Sequence, residues 1–306
     1  MKVLLSLVAI IFIAVPSLSH AETLAWGITS FPPGYITQGP DKGQGYADLL
    51  EKFMRGKLTQ YDHDIIEYPN WERQLAAMQN GPLVCTSILW YRPPGARQSI
   101  KGAYRVSAPN GVFFLHDVVV HKDMRDQYGD EVSFKDLLSN PDLTFGYNRP
   151  YGPMFNRILA DHLGIPPGVE LDAMNAMDRI NHLRNAKNVQ IRSGSDPIGG
   201  LLKMLWRKRV DYVLEYEFMI RYERKKQGFG DELVSIPVIE GRDQINRIAF
   251  ACSDTPEGEK AIAAINVVLK KYRHTDEFKR ALEWLVPKDR EDLYWREYDK
   301  ILTIME

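Results

Sequence analysis

Short apolar runs alternate with segments of helical periodicity along most of the chain. Leu24 to Ile28 is typical of a buried strand. One face of the next segment carries apolar residues at helical spacing, namely Tyr46, Leu49, Leu50, Phe53 and Met54. Strands are predicted at 64–68 and 82–89, with a helix between them that Asn70 caps and Gly81 ends. This order predicts an α/β lobe with a largely parallel sheet.

The same alternation restarts in the middle of the chain. Phe113 to His121, with three consecutive valines, predicts a strand, and Ser133 with Asp136 forms a capping box before a helix. Further strands are expected at 143–147, 188–192 and 210–214, and further helices at 154–163 and 197–206. These segments predict a second α/β lobe.

The C-terminal part resumes the pattern of the first lobe. Ile245 to Ala251 predicts a strand, Thr255-Pro256 begins a helix, and Thr275 caps another that Pro287 ends. A final helix from Asp289 onward is expected on the surface. Because no low-complexity linker separates the lobes, we expect the chain to cross between them as ordered strands.

The first 21 residues have the pattern of an export signal. Lys2 supplies a positive charge, Val3 to Val15 is apolar but too short to span a bilayer, and Ser19-His20-Ala21 precedes a suitable cleavage point. A membrane anchor and a buried strand are the alternatives. We expect cleavage before Glu22, secretion into the periplasm and no later transmembrane helix.

Charge and cysteine content narrow the classes of function. Loss of Lys2 with the leader lowers 39 basic residues to 38 against 40 acidic ones, so the mature net charge is −2. This balance gives no indication of a nucleic-acid partner. The basic stretches Arg207 to Arg209 and Arg221 to Lys226 fit solvated helix faces. Two cysteines alone, Cys85 and Cys252, cannot build a disulfide scaffold.

A series of ordered landmarks resembles a known family. The stretches "WGITSFPPGYI", "YPNWERQLAAMQNGPLVC", "SFKDLLSNPDLTFGYNRPYG" and "GGLLKMLWRKRVDYVLEY" follow one another as they do in bacterial extracytoplasmic solute-binding proteins of the amino-acid-binding type, solute-binding protein family 3. The likeness extends over nearly all of the mature chain. The order and spacing of these stretches indicate the fold more specifically than they indicate the ligand.

The resemblance implies a two-lobed type II periplasmic binding protein fold, each lobe a mixed, mostly parallel sheet flanked by helices, joined by two crossover strands. Residues 1–21 would be the signal peptide, 22–114 with 243–306 a discontinuous lobe 1, and 115–242 lobe 2. The fold would make the strands ending at Cys85 and Cys252 neighbours, which allows a disulfide; two buried thiols are the alternative.

The chain departs from the family where the ligand carboxylate is usually held. Amino-acid binders carry a Ser/Thr-x-Thr-x-x-Arg pattern, whereas this segment is "SILWYRPPGAR". Arg97 stands for the family arginine, with Arg92 as a competitor, but Pro94 replaces the threonine and a prolyl nitrogen donates no hydrogen bond. Trp90 and Tyr91 lie beside this position. A flatter or aromatic ligand is therefore favoured over an ordinary α-amino acid.

Ligands of α/β folds bind outside the carboxyl ends of the strands. The candidates that follow strands here are Phe31, Tyr35, Trp90, Tyr91, Arg97, Tyr147, Asn148, Arg149, Ser193 and Glu215. The aromatic residues could stack on a ligand or pack on the lobe wall, and the arginines could bind an anion or face solvent. Helix capping alone would explain Ser193. In the family, the acid at the position of Glu215 often receives the ligand's amino group, but a salt bridge to a basic neighbour is the alternative.

No motif of an established enzyme class is present. There is no G-x-S-x-G elbow and no cysteine–histidine pair, and neither His116 with His121 nor Asp62-His63-Asp64 has convincing metal-ligand spacing. We therefore expect no catalytic residue, no metal and no other cofactor.

The resemblance favours a monomeric protein that binds a small-molecule ligand and serves an inner-membrane ABC permease or the periplasmic domain of a signalling protein. The main alternative is an enzyme on the same scaffold, similar to cyclohexadienyl dehydratases, with Glu215 as its acid. A structural protein with an empty, fixed cleft is a third hypothesis.

Overall fold

The computed structural model describes residues 22–91, 104–192, 196–242 and 244–304, and these form two five-stranded sheets. The strands in chain order are β1 (Thr23–Thr29), β2 (Asp62–Tyr68), β3 (Val84–Trp90), β4 (Tyr104–Phe114), β5 (Asp117–His121), β6 (Phe145–Tyr147), β7 (Val189–Ile191), β8 (Tyr212–Glu215), β9 (Leu233–Ile236) and β10 (Ile245–Ser253). The strand order is β2-β1-β3-β10-β4 in lobe 1 and β7-β6-β8-β5-β9 in lobe 2.

Helices flank both sheets. They are α1 (Tyr46–Lys57), α2 (Trp71–Asn80), α3 (Phe134–Ser139), α4 (Pro153–His162), α5 (Ala176–Asn185), α6 (Pro197–Trp206), α7 (Glu217–Gln227), α8 (Pro256–Tyr272), α9 (Asp276–Arg280) and α10 (Glu291–Ile301). Short 3₁₀ helices cover Lys122–Gln127, Ile239–Gly241 and Glu283–Leu285. The mixed α/β, two-lobed architecture expected from the sequence is confirmed.

The chain passes between the sheets twice. It leaves lobe 1 at Phe114, the end of β4, and enters lobe 2 at Asp117, the start of β5; it returns between β9 and β10. The single strand predicted over Phe113 to His121 is therefore wrong, because the pairing partner changes from β10 to β8 and β9 within it. Strand β4 also begins well before the predicted segment, at Tyr104.

Burial explains why the last helix belongs to the fold. Tyr294 and Tyr298 are fully buried in the core of lobe 1, so α10 is not simply laid on the surface as the sequence suggested. The side chain of Arg273 donates hydrogen bonds to the main-chain oxygens of Pro109, Leu302 and Ile304. The chain end is thus tied to strand β4. Among the described residues, none of the helices combines the length and the apolar character that crossing a bilayer requires.

The corner formed by Phe31 to Tyr35 caps the first helix. The amides of Tyr46 and Ala47 donate to the carbonyl oxygens of Pro33 and Gly34, at 3.0 and 3.1 Å, and so satisfy donors that a helix start leaves free. Gly45 makes this contact feasible, since a Cβ there would lie 2.0 Å from the Gly34 oxygen. The aromatic-proline corner therefore has a structural role, which is to cap the start of α1.

A disulfide joins the outgoing and returning parts of lobe 1. Cys85 on β3 lies opposite Cys252 on β10 in the antiparallel register, both are fully buried, and their sulfurs are bonded. The expected pairing is therefore confirmed. The two cysteines are separated by 167 positions, and the loop that they close contains the whole of lobe 2.

Replacing Gly45 by alanine should lower the free energy of unfolding by about 3 kcal/mol, because the new methyl group would overlap main-chain atoms of the corner. Gly56 is the matched control, as it lies in the same helix with open space where a methyl group would be added. Gly56→Ala should instead stabilise by about 0.5 kcal/mol through helix propensity. Urea denaturation measures both, and equal effects would contradict the capping role of the corner.

Replacing both cysteines by alanine should lower the free energy of unfolding by about 2–5 kcal/mol, because the disulfide restricts the unfolded chain over a long loop. Chemical denaturation of the wild type with a reductant present should give a similar value. A double variant as stable as the oxidised wild type would show that the β3–β10 ladder alone holds the lobe together.

Candidate functional site

The strand registers bring the carboxyl ends of four strands toward the crossovers. In lobe 1, Trp90 at the end of β3 pairs with Ile248, near the start of β10, and β1 runs parallel to β3. In lobe 2, Glu215 at the end of β8 pairs with Asp117, the first residue of β5, and β6 runs parallel to β8. The loops after these strands therefore face the junction of the lobes, which is where the candidate site lies.

A charged pair occupies the lobe 2 side of this junction. Arg149, in the loop after β6, donates from Nη2 to Glu215 Oε1 at 2.6 Å, and the Tyr216 amide donates to the same oxygen at 3.0 Å. The Glu215 side chain is 1% exposed and that of Arg149 is 28% exposed. Burial raises the pKa of the Glu215 carboxyl, and the Arg149 charge opposes this rise. The salt bridge to a basic neighbour, one of the two roles that the sequence allowed for Glu215, is present in the structure.

His116 extends this site, although the sequence did not single it out for binding. Its ring stacks on Tyr216, with centroids 3.8 Å apart, and meets the edge of Tyr151. Burial and the nearby positive charge of Arg149 both lower the pKa of His116 well below its usual value, so the imidazole is neutral near pH 7.

Three buried polar atoms around the charged pair have no hydrogen-bond partner among the described residues. They are His116 Nδ1, the Tyr151 hydroxyl and Glu215 Oε2. An unpaired buried polar atom costs about 1–3 kcal/mol, so native proteins usually provide a partner. Both His116 and Tyr151 interact electrostatically with Arg149, so the unpartnered atoms belong to residues grouped around one ion pair. Such a group is suited to polar groups from outside the chain.

An aromatic row leads from this site to the solvent. The Tyr216 ring stacks on Phe218, Phe113 presents its edge to both rings, and Trp90 contacts Phe113 with centroids 5.2 Å apart. The row ends at Trp90, which is 40% exposed. It connects both lobes, since Trp90 and Phe113 belong to lobe 1 while Tyr216 and Phe218 follow β8.

The other lobe 1 candidates are held by their own neighbours. The Phe31 ring meets Trp71 edge to face, and its backbone pairs with that of Tyr35. Tyr35 is fully buried, and its hydroxyl bonds to Ser87 Oγ at 2.6 Å. Tyr91 is half-buried after β3. A ligand could reach the Tyr35 hydroxyl only if this network opened, so Trp90 is the more accessible aromatic.

The remaining candidates are Tyr147 and Asn148, which the structure describes, and Arg97 and Ser193, which it does not. Tyr147 is buried in the core of lobe 2, while Asn148 is half-buried in the loop beside Arg149. Arg97 and Ser193 lie outside the described residues. The structure therefore brings Asn148, Arg149 and Glu215 together at the end of the lobe 2 sheet. Across the described part of the chain, no cluster of three or more potential metal ligands is found.

Helix α7 links the two lobes beside the candidate site. Phe218 and Met219 belong to the core of lobe 1, whereas Ile220 belongs to that of lobe 2. Arg221 donates to the main-chain oxygens of Trp284 and Val286. The basic stretch that begins at Arg221 is thus not wholly a solvated face, because its first residue binds lobe 1.

A surface groove of about 660 Å³ lies near α7 but apart from the strand ends. Its walls include Arg221 of lobe 2 and Lys279, Glu283, Glu291 and Trp295 of lobe 1. The groove carries charges of both signs, and none of the residues with the unpaired buried atoms described above lines it. We therefore place the candidate site at the charged pair rather than in this groove.

Solved structures with the same architecture match most of the chain. The probable amino-acid ABC transporter extracellular-binding protein YtmK of Bacillus subtilis is 13% identical, with a TM-score of 0.58, over 87% of this chain and 98% of that one. The ancestral amino-acid-binding protein AncCDT-1, described as a precursor of cyclohexadienyl dehydratase, is 15% identical, with a TM-score of 0.53, over 86% and 95%.

A sensor domain is also similar. A histidine kinase sensor domain with similarity to periplasmic binding proteins is 14% identical, with a TM-score of 0.50, over 94% of this chain and 98% of that one. No protein-family model and no curated protein sequence matches the chain. The structural matches establish the type II periplasmic binding protein fold, which is found in transport and sensor proteins alike.

Replacing Arg149 by methionine should lower the free energy of unfolding by about 3 kcal/mol at neutral pH, because the Glu215 carboxylate would be buried without a counter-charge. Replacing Glu215 by glutamine in the same chain should restore most of this loss. A double-mutant cycle followed by urea denaturation measures the coupling.

The control for this cycle is Arg157→Met, which removes an exposed pair with Asp161 on α4 and a hydrogen bond to the main-chain oxygen of Ile165. It should cost about 1 kcal/mol, because exposed pairs contribute little and the lost hydrogen bond leaves no buried charge. Strictly additive effects of the Arg149 and Glu215 substitutions would show that the two side chains do not form an energetically coupled pair.

Proposed function

We propose that this protein binds a small polar or aromatic solute, amino-acid-like or carboxylate-bearing, between its two lobes. The observation that carries the proposal is the buried Arg149–Glu215 pair with unpaired polar atoms around it, at the edge of the sheet where α/β folds bind ligands. The exposed end of the aromatic row supplies a surface on which a ring could stack.

The mechanism that follows is reversible closure of the lobes over the solute. Exclusion of water would strengthen the few charged contacts, because the same charges attract more strongly in a less polar environment. Arg97, Asn148 and Ser193, and on the aromatic side Phe31, Tyr35, Tyr91 and Tyr147, remain proposed contributors. Movement of α7 against lobe 1 would make the bound shape distinct from the free one.

Two uses of such binding are compatible with the fold. An exported monomer could deliver the solute to an inner-membrane ABC permease, or it could dock on the periplasmic domain of a signalling protein. Similar structures include an ABC transporter binding protein and a histidine kinase sensor domain, which supports both uses. The export itself rests on the first 21 residues of the sequence, which lie outside the described part of the chain.

An enzyme on the same scaffold is the second candidate. The similar ancestral protein described as a precursor of cyclohexadienyl dehydratase supports considering it. Glu215 would be its acid, and its pKa is raised by burial, but one of its oxygens already accepts two hydrogen bonds. Turnover of prephenate or arogenate by the purified protein would favour this candidate over binding alone.

Identification of the bound solute tests the proposal directly. Mass spectrometry of small molecules released on denaturation should detect one solute at near-stoichiometric amount. If none co-purifies, a thermal-shift screen of amino acids, aromatic acids and polyamines should give a ligand. No released solute together with no shift from any compound or from a metabolite extract would refute the proposed function.

Trp90→Ala should weaken binding of the identified solute by about 3- to 10-fold, because it removes the accessible end of the aromatic row. Trp206 provides a matched control: it is 41% exposed, stacks on Phe229, and lies at the C-terminal end of α6, away from the strand ends. Trp206→Ala should leave the affinity unchanged in titration calorimetry. Equal losses in both variants would place the ligand elsewhere.

A further inference from the structure

The charge of Glu215 is already balanced inside the protein. Arg149 lies 2.6 Å from Glu215 Oε1, which also accepts the Tyr216 amide. Glu223 is the other carboxylate that acts on Glu215, and its oxygens accept hydrogen bonds from Lys226 and Gln227. Among the described residues around this pair, no carboxylate therefore lacks a positive or hydrogen-bonding neighbour.

Arg149 still has donors for a ligand. Its hydrogen bonds to other described residues all begin at Nη2, which contacts Glu215 and the Met219 sulfur. A guanidinium carries five N–H donors, so either Nε or Nη1 can donate a hydrogen bond to one oxygen of a ligand carboxylate. The side chain is 28% exposed, which gives such a carboxylate access.

The unpaired Glu215 Oε2 needs a hydrogen-bond donor, and the charge of that donor matters. A hydroxyl can donate to this oxygen without bringing a charge. An ammonium group placed there would lie beside the Arg149 guanidinium and would be repelled by it, while the carboxylate that should attract it is already paired. An imidazole is either neutral or positively charged, so His116 cannot offset this repulsion.

We propose that the site prefers carboxylic acids without an α-amino group, with 2-hydroxy acids the best fit, over zwitterionic α-amino acids. One oxygen of the ligand carboxylate accepts a hydrogen bond from an unused Arg149 donor, and the 2-hydroxyl of the ligand donates to Glu215 Oε2. This inference rests on the proposed function, because it assigns a ligand class to the same site.

Matched ligands test the preference in the unmodified protein. L-Phenylalanine and L-phenyllactate differ only in an ammonium versus a hydroxyl group, and the same comparison is made for leucine, glutamate and lysine with their 2-hydroxy analogues. Titration calorimetry should give at least about tenfold tighter binding of the hydroxy acid in the pair that binds best, or about 1.4 kcal/mol. Tighter binding of the amino acid, or co-purification of a primary amine, would overturn the inference while leaving the proposed function intact.

The variant Arg149→Met should reverse the order within the pair, because it leaves the Glu215 carboxylate free to attract an ammonium. Arg157→Met removes an arginine from the surface of the same lobe and should leave the order unchanged. If Arg149→Met does not fold, Glu215→Gln serves instead: it should keep hydroxy-acid binding within about threefold and weaken the amino acid further.

The outcomes separate the two levels of the proposal. If no pair binds and a metabolite extract produces no shift, the proposed function fails and the ligand class falls with it. If the extract produces a shift but the responsible compound carries an α-ammonium, only the ligand class is wrong. If the responsible compound is a carboxylate without one, the inference is supported.

Discussion

The antiparallel ladder that β10 forms with β3 and β4 determines how the two lobes are related. The chain leaves lobe 1 at the end of β4 and must return beside the same strand, so Ile245 pairs with Phe114 at the point of departure. Lobe 2 is inserted between these two crossings. The disulfide between Cys85 and Cys252 fixes the returning strand on its other side. The candidate site lies beside the two crossings because the strand registers place the carboxyl ends of β3 and β8 next to the points where the chain passes between the lobes.

Charge and burial at that junction work in opposite directions. Burial disfavours the ionised form of the Glu215 carboxyl, and the positive charge of Arg149 stabilises that form. The pair leaves oxygen, nitrogen and hydroxyl groups nearby that are buried but unmatched. A protein that only needed a stable core would gain by replacing these groups with apolar ones of the same shape. Their presence at the end of the sheet is more readily understood as preparation for a ligand.

The aromatic residues at the strand ends differ in burial and in hydrogen bonding, and composition alone does not show this difference. Tyr35 and Phe31 belong to a corner whose carbonyl groups cap α1, and Tyr35 is committed to hydrogen bonds within the core. Trp90 lies at the accessible end of a row that spans the two lobes. Both groups follow a strand at the same edge of the same sheet. Burial and hydrogen bonding, rather than residue type, distinguish Tyr35, which is held inside the core, from Trp90, which is exposed.

The sequence by itself determined the alternation of strands and helices, because periodicity and capping are local properties. It also made Arg149 and Glu215 candidates, since both follow strands. It missed β9, α5 and the early part of β4, whose patterns are weak, and it placed one strand across the first crossover. A change of pairing partner depends on residues distant in the chain, so local pattern could not reveal it.

Only the tertiary structure decided what the candidate residues touch. The sequence left Glu215 between a ligand's amino group and a basic neighbour, and the fold brings Arg149, from the loop after another strand, into a salt bridge with it. It also brought His116 and Tyr151 to the same place, although neither was a candidate ligand-binding residue from the sequence. Their importance comes from burial without a partner, and both burial and pairing arise from contacts between distant segments. The disulfide could be proposed from the resemblance, but its formation required the β3–β10 register.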